Sequence, residues 1–203
     1  MKALLSELKN LKAIKPQVDE RLAEFKAIPR TANQLFQELC FCILAANFQA
    51  AKMIEIQRKI GNGFLIFPEK KLQSELKKLG CRFHNRAAYI VENRKNLPEL
   101  KKALKIMKGE GLREWIVKHI KGLGYKEASH FLRNIGFDDY AIIDFHIVDI
   151  LEKHKLIRKP KTMTKKRYLE IEKVLQEIGS KSKMTMAELD LYLWYLETGK
   201  VLK

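Results

Sequence analysis

Apolar residues recur every three or four positions along almost the whole chain, as at Leu72, Leu76 and Leu79 and again at Leu189, Tyr192, Leu193 and Leu196. That spacing gathers them on one face of a helix, and no stretch shows the apolar–polar alternation of a strand. Helix breakers come often: Pro16, Pro29, Gly61, Gly63, Pro68, Gly80, Pro98, Gly109, Gly122, Gly136, Pro160 and Gly179. They cut the chain into about ten helices of ordinary length. The fold class expected is all-α, with short connections that favour compact packing of neighbouring helices. Thr185, followed three residues later by Glu188, reads as a capping box that opens the last helix. One basic stretch, "EKHKLIRKPKTMTKKR", is long enough to mark a boundary or an edge facing a polyanion.

The 203 residues suffice for one compact unit or two small lobes without help from a metal or disulfide. Lys and Arg number 40 against 24 Asp and Glu, a formal charge of +16. Such a field attracts polyanions, so nucleic acid is the first partner to consider, although a basic chain is also simply a soluble one. Cys40, Cys42 and Cys81 form neither a disulfide framework nor a zinc knuckle, which points to a reducing compartment. The opening "MKALLSELKNLKAIKP" mixes lysines into its apolar positions and lacks the continuous core of a signal peptide, and no run of apolar residues is long enough for a membrane span. The expected location is cytoplasmic, beside the nucleoid.

In "IKGLGYKEASHFLRNIG", Gly122 and Gly124 bracket Leu123 ahead of a helix that stops near Gly136. Glycines there allow a tight turn whose bare N–H groups can approach a phosphate, and the helix N-terminus behind it adds partial positive charge. The alternative is a plain glycine turn between core helices. Lys126 falls in the first turn of that helix, where the dipole disfavours an ammonium and so favours the neutral, nucleophilic amine. Glu127 beside it returns negative charge, and a surface lysine touching a phosphate would satisfy the same pattern. Further on, "DDYAIIDFHIVDIL" runs through Ala141, Ile142 and Ile143 to Asp144, an N-cap reached from the interior. A carboxylate held that way can stabilise developing positive charge or shuttle a proton. His146 lies in the same turn.

These two motifs, Ile120, Gly122, Gly124 and Lys126 followed by Asp144 and His146, resemble the signature of the helix–hairpin–helix DNA glycosylase superfamily. "CFCILAANFQAAKMIEIQRKIG" is similar to the superfamily's wedge-bearing turn, with Asn47 at the turn, and "LGCRFHNRAAYIVENR" to the helix after its Gly-aromatic-basic stretch. No cluster of four C-terminal cysteines is present, which sets the chain apart from the iron–sulfur branch. Its length and its ending, "MAELDLYLWYLETGKVLK", look like the archaeal-type 8-oxoguanine DNA glycosylases, whose closing lysine helps tell 8-oxoguanine from guanine; Lys203 matches it.

The resemblance implies two helical lobes, residues 30 to 138 in one and residues 1 to 29 with 139 to 203 in the other, with a cleft between them. It implies a bifunctional enzyme in which Lys126 is the nucleophile and Asp144 its electrostatic partner. Lys203, Phe83 and Trp194 would meet the extruded base. Asn47, Gly122, Leu123, Gly124 and His146 would touch DNA. The partner would be duplex DNA carrying 8-oxoguanine or an abasic site, and the protein a monomer. No organic cofactor or iron–sulfur cluster is expected, but the backbone carbonyls of Lys118, Ile120 and Leu123 are candidates to bind a monovalent cation. Two alternatives stay open on the sequence: a non-catalytic phosphate clamp, and a glycosylase of the same fold for another damaged base.

Overall fold

A computed structural model of the chain describes residues 1–45, 50–81 and 83–203. Among the described residues there is no strand; thirteen α-helices and two short 3-10 turns carry the fold. In chain order the helices are α1 (Lys2–Asn10), α2 (Lys15–Ala27), α3 (Ala32–Ala45), α4 (Ala50–Ile60), α5 (Gly63–Ile66), α6 (Glu69–Lys78) and α7 (Asn85–Asn93). They continue as α8 (Leu97–Ile106), α9 (Gly109–His119), α10 (Tyr125–Asn134), α11 (Phe145–Lys153), α12 (Lys165–Ser182) and α13 (Met186–Thr198). The number exceeds the ten or so that the breakers suggest. The 3-10 turns Leu11–Ile14 and Arg94–Asn96 contain no glycine or proline, but each leads into a helix with proline at its second position, Pro16 in α2 and Pro98 in α8, so both joints fall at breakers visible in the sequence.

The chain divides into two compact units, Ile28–Ile135 with Lys203, and Met1–Ala27 with Gly136–Leu202. In the first, α3 is the central element. From Leu35 to Ala45 its side chains are buried almost without interruption, Leu39 to Ile43 completely, and it packs against α4, α7 and α10. A helix that is apolar on nearly every side belongs in a core. In the second unit α13 packs on α2, α11 and α12.

Three helices of this second unit start on side-chain caps. Asp144 accepts from the Ile147 N–H at 3.0 Å, Thr164 from Arg167 at 3.3 Å and Thr185 from Glu188 at 3.1 Å. Each satisfies a donor that the helix itself leaves open. The basic connection resolves into a loop from 154 to 164 between α11 and α12. Among the described residues no helix is long and apolar enough to cross a membrane.

Candidate active site

The hairpin occupies residues 120 to 124, between α9 and α10. Its turn needs glycine at 122, where φ is +90° and a Cβ would stand 2.7 Å from Cδ2 of the Tyr89 ring. Leu123 points inward and is buried. Gly124 is the N-cap of α10; it brings no side chain to the helix end, and its own N–H donates to Glu127 Oε2 at 3.2 Å. Lys126 is the second residue of α10. Its side chain is partly buried, with Nζ 4.0 Å from Glu127 Oε1, the outer limit of an ion pair.

The turn is clamped from α7. Asn93, fully buried, donates from Nδ2 to the Lys121 carbonyl at 2.9 Å and accepts the Lys121 N–H on Oδ1 at 3.0 Å. Asn96 donates to the His119 carbonyl at 2.9 Å and to Asn93 Oδ1 at 3.2 Å, which fixes the orientation of both amides. Lys121 itself reaches back to Glu92 at 2.8 Å. Asn93 escaped the sequence reading, yet a signal was there. It falls three residues beyond Ile90 and six beyond Ala87, a polar side chain on the apolar face of α7.

The hairpin carbonyls meet the demands of a hard cation in kind. Lys118 lies in the last turn of α9, where carbonyls lack intrahelical donors, and the Ile120 carbonyl takes only a long contact, 3.4 Å, from the Leu123 N–H.

Asp144 belongs to the other unit. The approach to it, Ala141 to Ile143, is buried, and side chains of α12 take up three of its backbone groups. Tyr168 donates its hydroxyl to the Ala141 carbonyl at 2.7 Å and accepts the Ile143 N–H at 3.3 Å, while Glu172 accepts the Ala141 N–H at 3.3 Å. An apolar run can therefore cross the interior without stranded polar groups and deliver Asp144 to the start of α11. His146 has its Nδ1 3.6 Å from Glu197 Oε1 and its ring edge-on to Trp194, with centroids 5.0 Å apart. The Trp194 indole N–H is buried and finds no acceptor among the described residues. Phe145, between the aspartate and the histidine, is 64% exposed.

Lys203 stands with the hairpin unit. Its Nζ donates to Glu38 at 2.6 Å and to Gln57 at 2.9 Å, 4.9 Å from the centre of the Phe41 ring. Phe83 is partly exposed, with the Arg86 guanidinium 4.9 Å from its ring. Asn47 lies outside the described residues. Two buried groups sit in the field of both Lys126 and Lys203. Burial holds the His130 imidazole well below its usual range, and those lysines with Arg133 push the same way. Burial raises the Cys42 thiol, aided by Glu38 and opposed by the lysines.

A family model described as "8-oxoguanine DNA glycosylase" matches residues 18–184. The 8-oxoguanine DNA glycosylase/AP lyase of Methanocaldococcus jannaschii is 50% identical over 204 residues, spanning 98% of this chain and 97% of the relative. That of Thermotoga maritima is 43% identical over 99% of each. Among solved structures, the Methanocaldococcus jannaschii glycosylase/lyase in complex with a 15mer DNA containing 8-oxoguanine superposes with a TM-score of 0.95 at 47% identity, covering 99% of this chain and 100% of that one. The match runs through both units and both motifs, and the chain belongs to the 8-oxoguanine DNA glycosylase family.

Proposed function

We propose that the protein excises 8-oxoguanine from duplex DNA through a lysine imine and then cleaves the abasic strand by β-elimination. The observation that carries this reading is the placement of Lys126 in the first turn of α10, directly behind a glycine turn held rigid by Tyr89 and Asn93. The hairpin at Gly122 to Gly124 holds the backbone without reading sequence, His146 donates to a phosphate, and Asn47 fills the gap left by the extruded nucleotide. Phe83 and Trp194 line the base pocket, and Lys203 distinguishes the oxidised base from guanine. The carbonyls of Lys118, Ile120 and Leu123 hold a monovalent cation, and no organic cofactor or iron–sulfur cluster takes part. The protein works as a monomer on the DNA of the cytoplasm.

The neutral amine of Lys126 forms a bond to C1′ as the bond from C1′ to the base breaks; the base leaves with the electron pair and takes up a proton. Asp144 stabilises the positive charge that develops on the ribose. Ring opening leaves an imine between Lys126 and C1′. Loss of a C2′ proton then expels the 3′ phosphate, and water releases the lysine. The net charge of +16 makes DNA affinity fall steeply with salt.

Borohydride reduction on a duplex with 8-oxoguanine opposite cytosine tests the chemistry. The parent protein gives a covalent adduct; Lys126→Gln gives none while still binding the duplex. An adduct that persists in Lys126→Gln, or no adduct with the parent, would overturn the mechanism.

A further inference from the structure

Glu38 is a carboxylate in the middle of α3, 2% exposed, between buried Phe36 and Leu39. An ionised group there is costly unless it is paired and hydrogen-bonded. Its partners are arranged as an ionised carboxylate requires. Oε1 accepts from Lys203 Nζ at 2.6 Å and from Gln57 Nε2 at 3.0 Å, and Oε2 accepts from Asn134 Nδ2 at 3.3 Å. The Asn134 amide is turned by Arg133, whose Nε and Nη2 both donate to Asn134 Oδ1, so that its NH₂ faces Glu38. Gln57 is turned by the pair itself: its carbonyl takes Lys203 Nζ at 2.9 Å and its NH₂ serves Glu38. Each amide has one orientation that works, and both converge on the carboxylate that holds the Lys203 ammonium.

That ammonium is 15% exposed and is also seated against the Phe41 ring, although it sits at the end of a flexible four-carbon stem. The Lys203 and Lys126 charges both act on Cys42 and His130. A buried ion pair serving stability alone is readily replaced as a pair by apolar residues of similar volume. One whose hydrogen bonds align a single flexible lysine has a second use.

We infer that Glu38, assisted by Gln57, is a positioning residue for lesion recognition: it fixes the Lys203 ammonium where the extruded base is read. The inference rests on the reading above that Lys203 meets that base.

The test uses the full chain as parent, Glu38→Gln, Lys203→Met and the double variant. Each is measured for single-turnover release of 8-oxoguanine, for cleavage of a preformed abasic site, and for unfolding in denaturant. Glu38→Gln and Lys203→Met are each expected to lower the ratio of base release to abasic cleavage about tenfold, the worth of a hydrogen bond to a charged group. The double variant should fall no further than the worse single variant, because both remove one interaction. Lys203→Met should also be less stable than the double variant, since it alone leaves the buried carboxylate without its cation.

Independent losses that multiply in the double variant would overturn the inference, as would a Glu38→Gln protein with the parent's ratio beside an impaired Lys203→Met. A parent-like ratio in Lys203→Met would instead overturn the recognition role of Lys203, and the inference with it. Should Glu38→Gln fail to fold, Gln57→Leu keeps the ion pair and removes its second anchor; it is expected to lower the ratio about threefold, and an unchanged ratio would sink the proposal.

Discussion

α10 and α11 each open by presenting one candidate catalytic side chain, Lys126 or Asp144, and each carries a histidine close behind, yet the two helix starts are supported differently. At α11 the reactive carboxylate is itself the cap: Asp144 takes the Ile147 N–H and needs only a satisfied apolar run to bring it there. At α10 the cap is Gly124, which contributes no side chain; Glu127 in the first turn of the helix takes the Gly124 N–H, and the hairpin ahead of it is held from outside by Asn93, Asn96 and Tyr89. The turn before α10 therefore draws on tertiary bonds, whereas the start of α11 is locally self-sufficient.

Separating cap from chemistry at Asp144 tests the first half of that contrast and should give the largest effect. Asparagine caps a helix as well as aspartate does, so Asp144→Asn should unfold at nearly the parent's denaturant midpoint while base release falls about 100-fold, the scale of a lost electrostatic stabiliser. Asp144→Ala should lose the rate and also about 1 kcal/mol of stability. Equal rates for Asp144→Asn and the parent would reduce Asp144 to a cap.

The hairpin responds in the reverse order, stability first. Asn93→Ala strands the Lys121 N–H and carbonyl together, and denaturant unfolding should show a loss of about 2 kcal/mol. Gly122→Ala imposes a Cβ at positive φ against the Tyr89 ring and should cost about 1 to 2 kcal/mol, with weaker binding even to undamaged duplex. Stability unchanged in both variants would mean that the turn is held by its own backbone, and the contrast with α11 would disappear.

The same contrast explains what was legible in the sequence. The all-α class, the cap at Asp144, the capping threonine at 185 and the position of Lys126 follow from local rules: periodicity, breakers and residues within one turn of each other. The Asn93 clamp joins residues 28 positions apart, and the Lys203 to Glu38 pair joins residues 165 apart. Neither distance leaves a local pattern. Each does leave a trace, a polar residue where an apolar one is due, but such a trace announces a buried partner without naming it.

The histidines supply the smallest and most specific test. His146 faces the Glu197 carboxylate and the edge of Trp194, while both ring nitrogens of His130 are buried without a partner among the described residues, one turn beyond Lys126. Burial, then the charges of Arg133, Lys126 and Lys203, keep His130 neutral in the folded protein well below the ordinary value of 6.5. The unfolded chain takes up a proton there near pH 6.5, and the folded chain does not. The contribution of His130 is therefore fully present above that pH and drains away as pH falls towards the folded value, at up to about 1.4 kcal/mol per pH unit. His130→Leu removes this proton linkage, so its unfolding free energy between pH 6.5 and 5 should fall less steeply than the parent's. Matching slopes would show that His130 titrates alike in both states, and that the surroundings of Lys126 are wetter than its neighbours indicate.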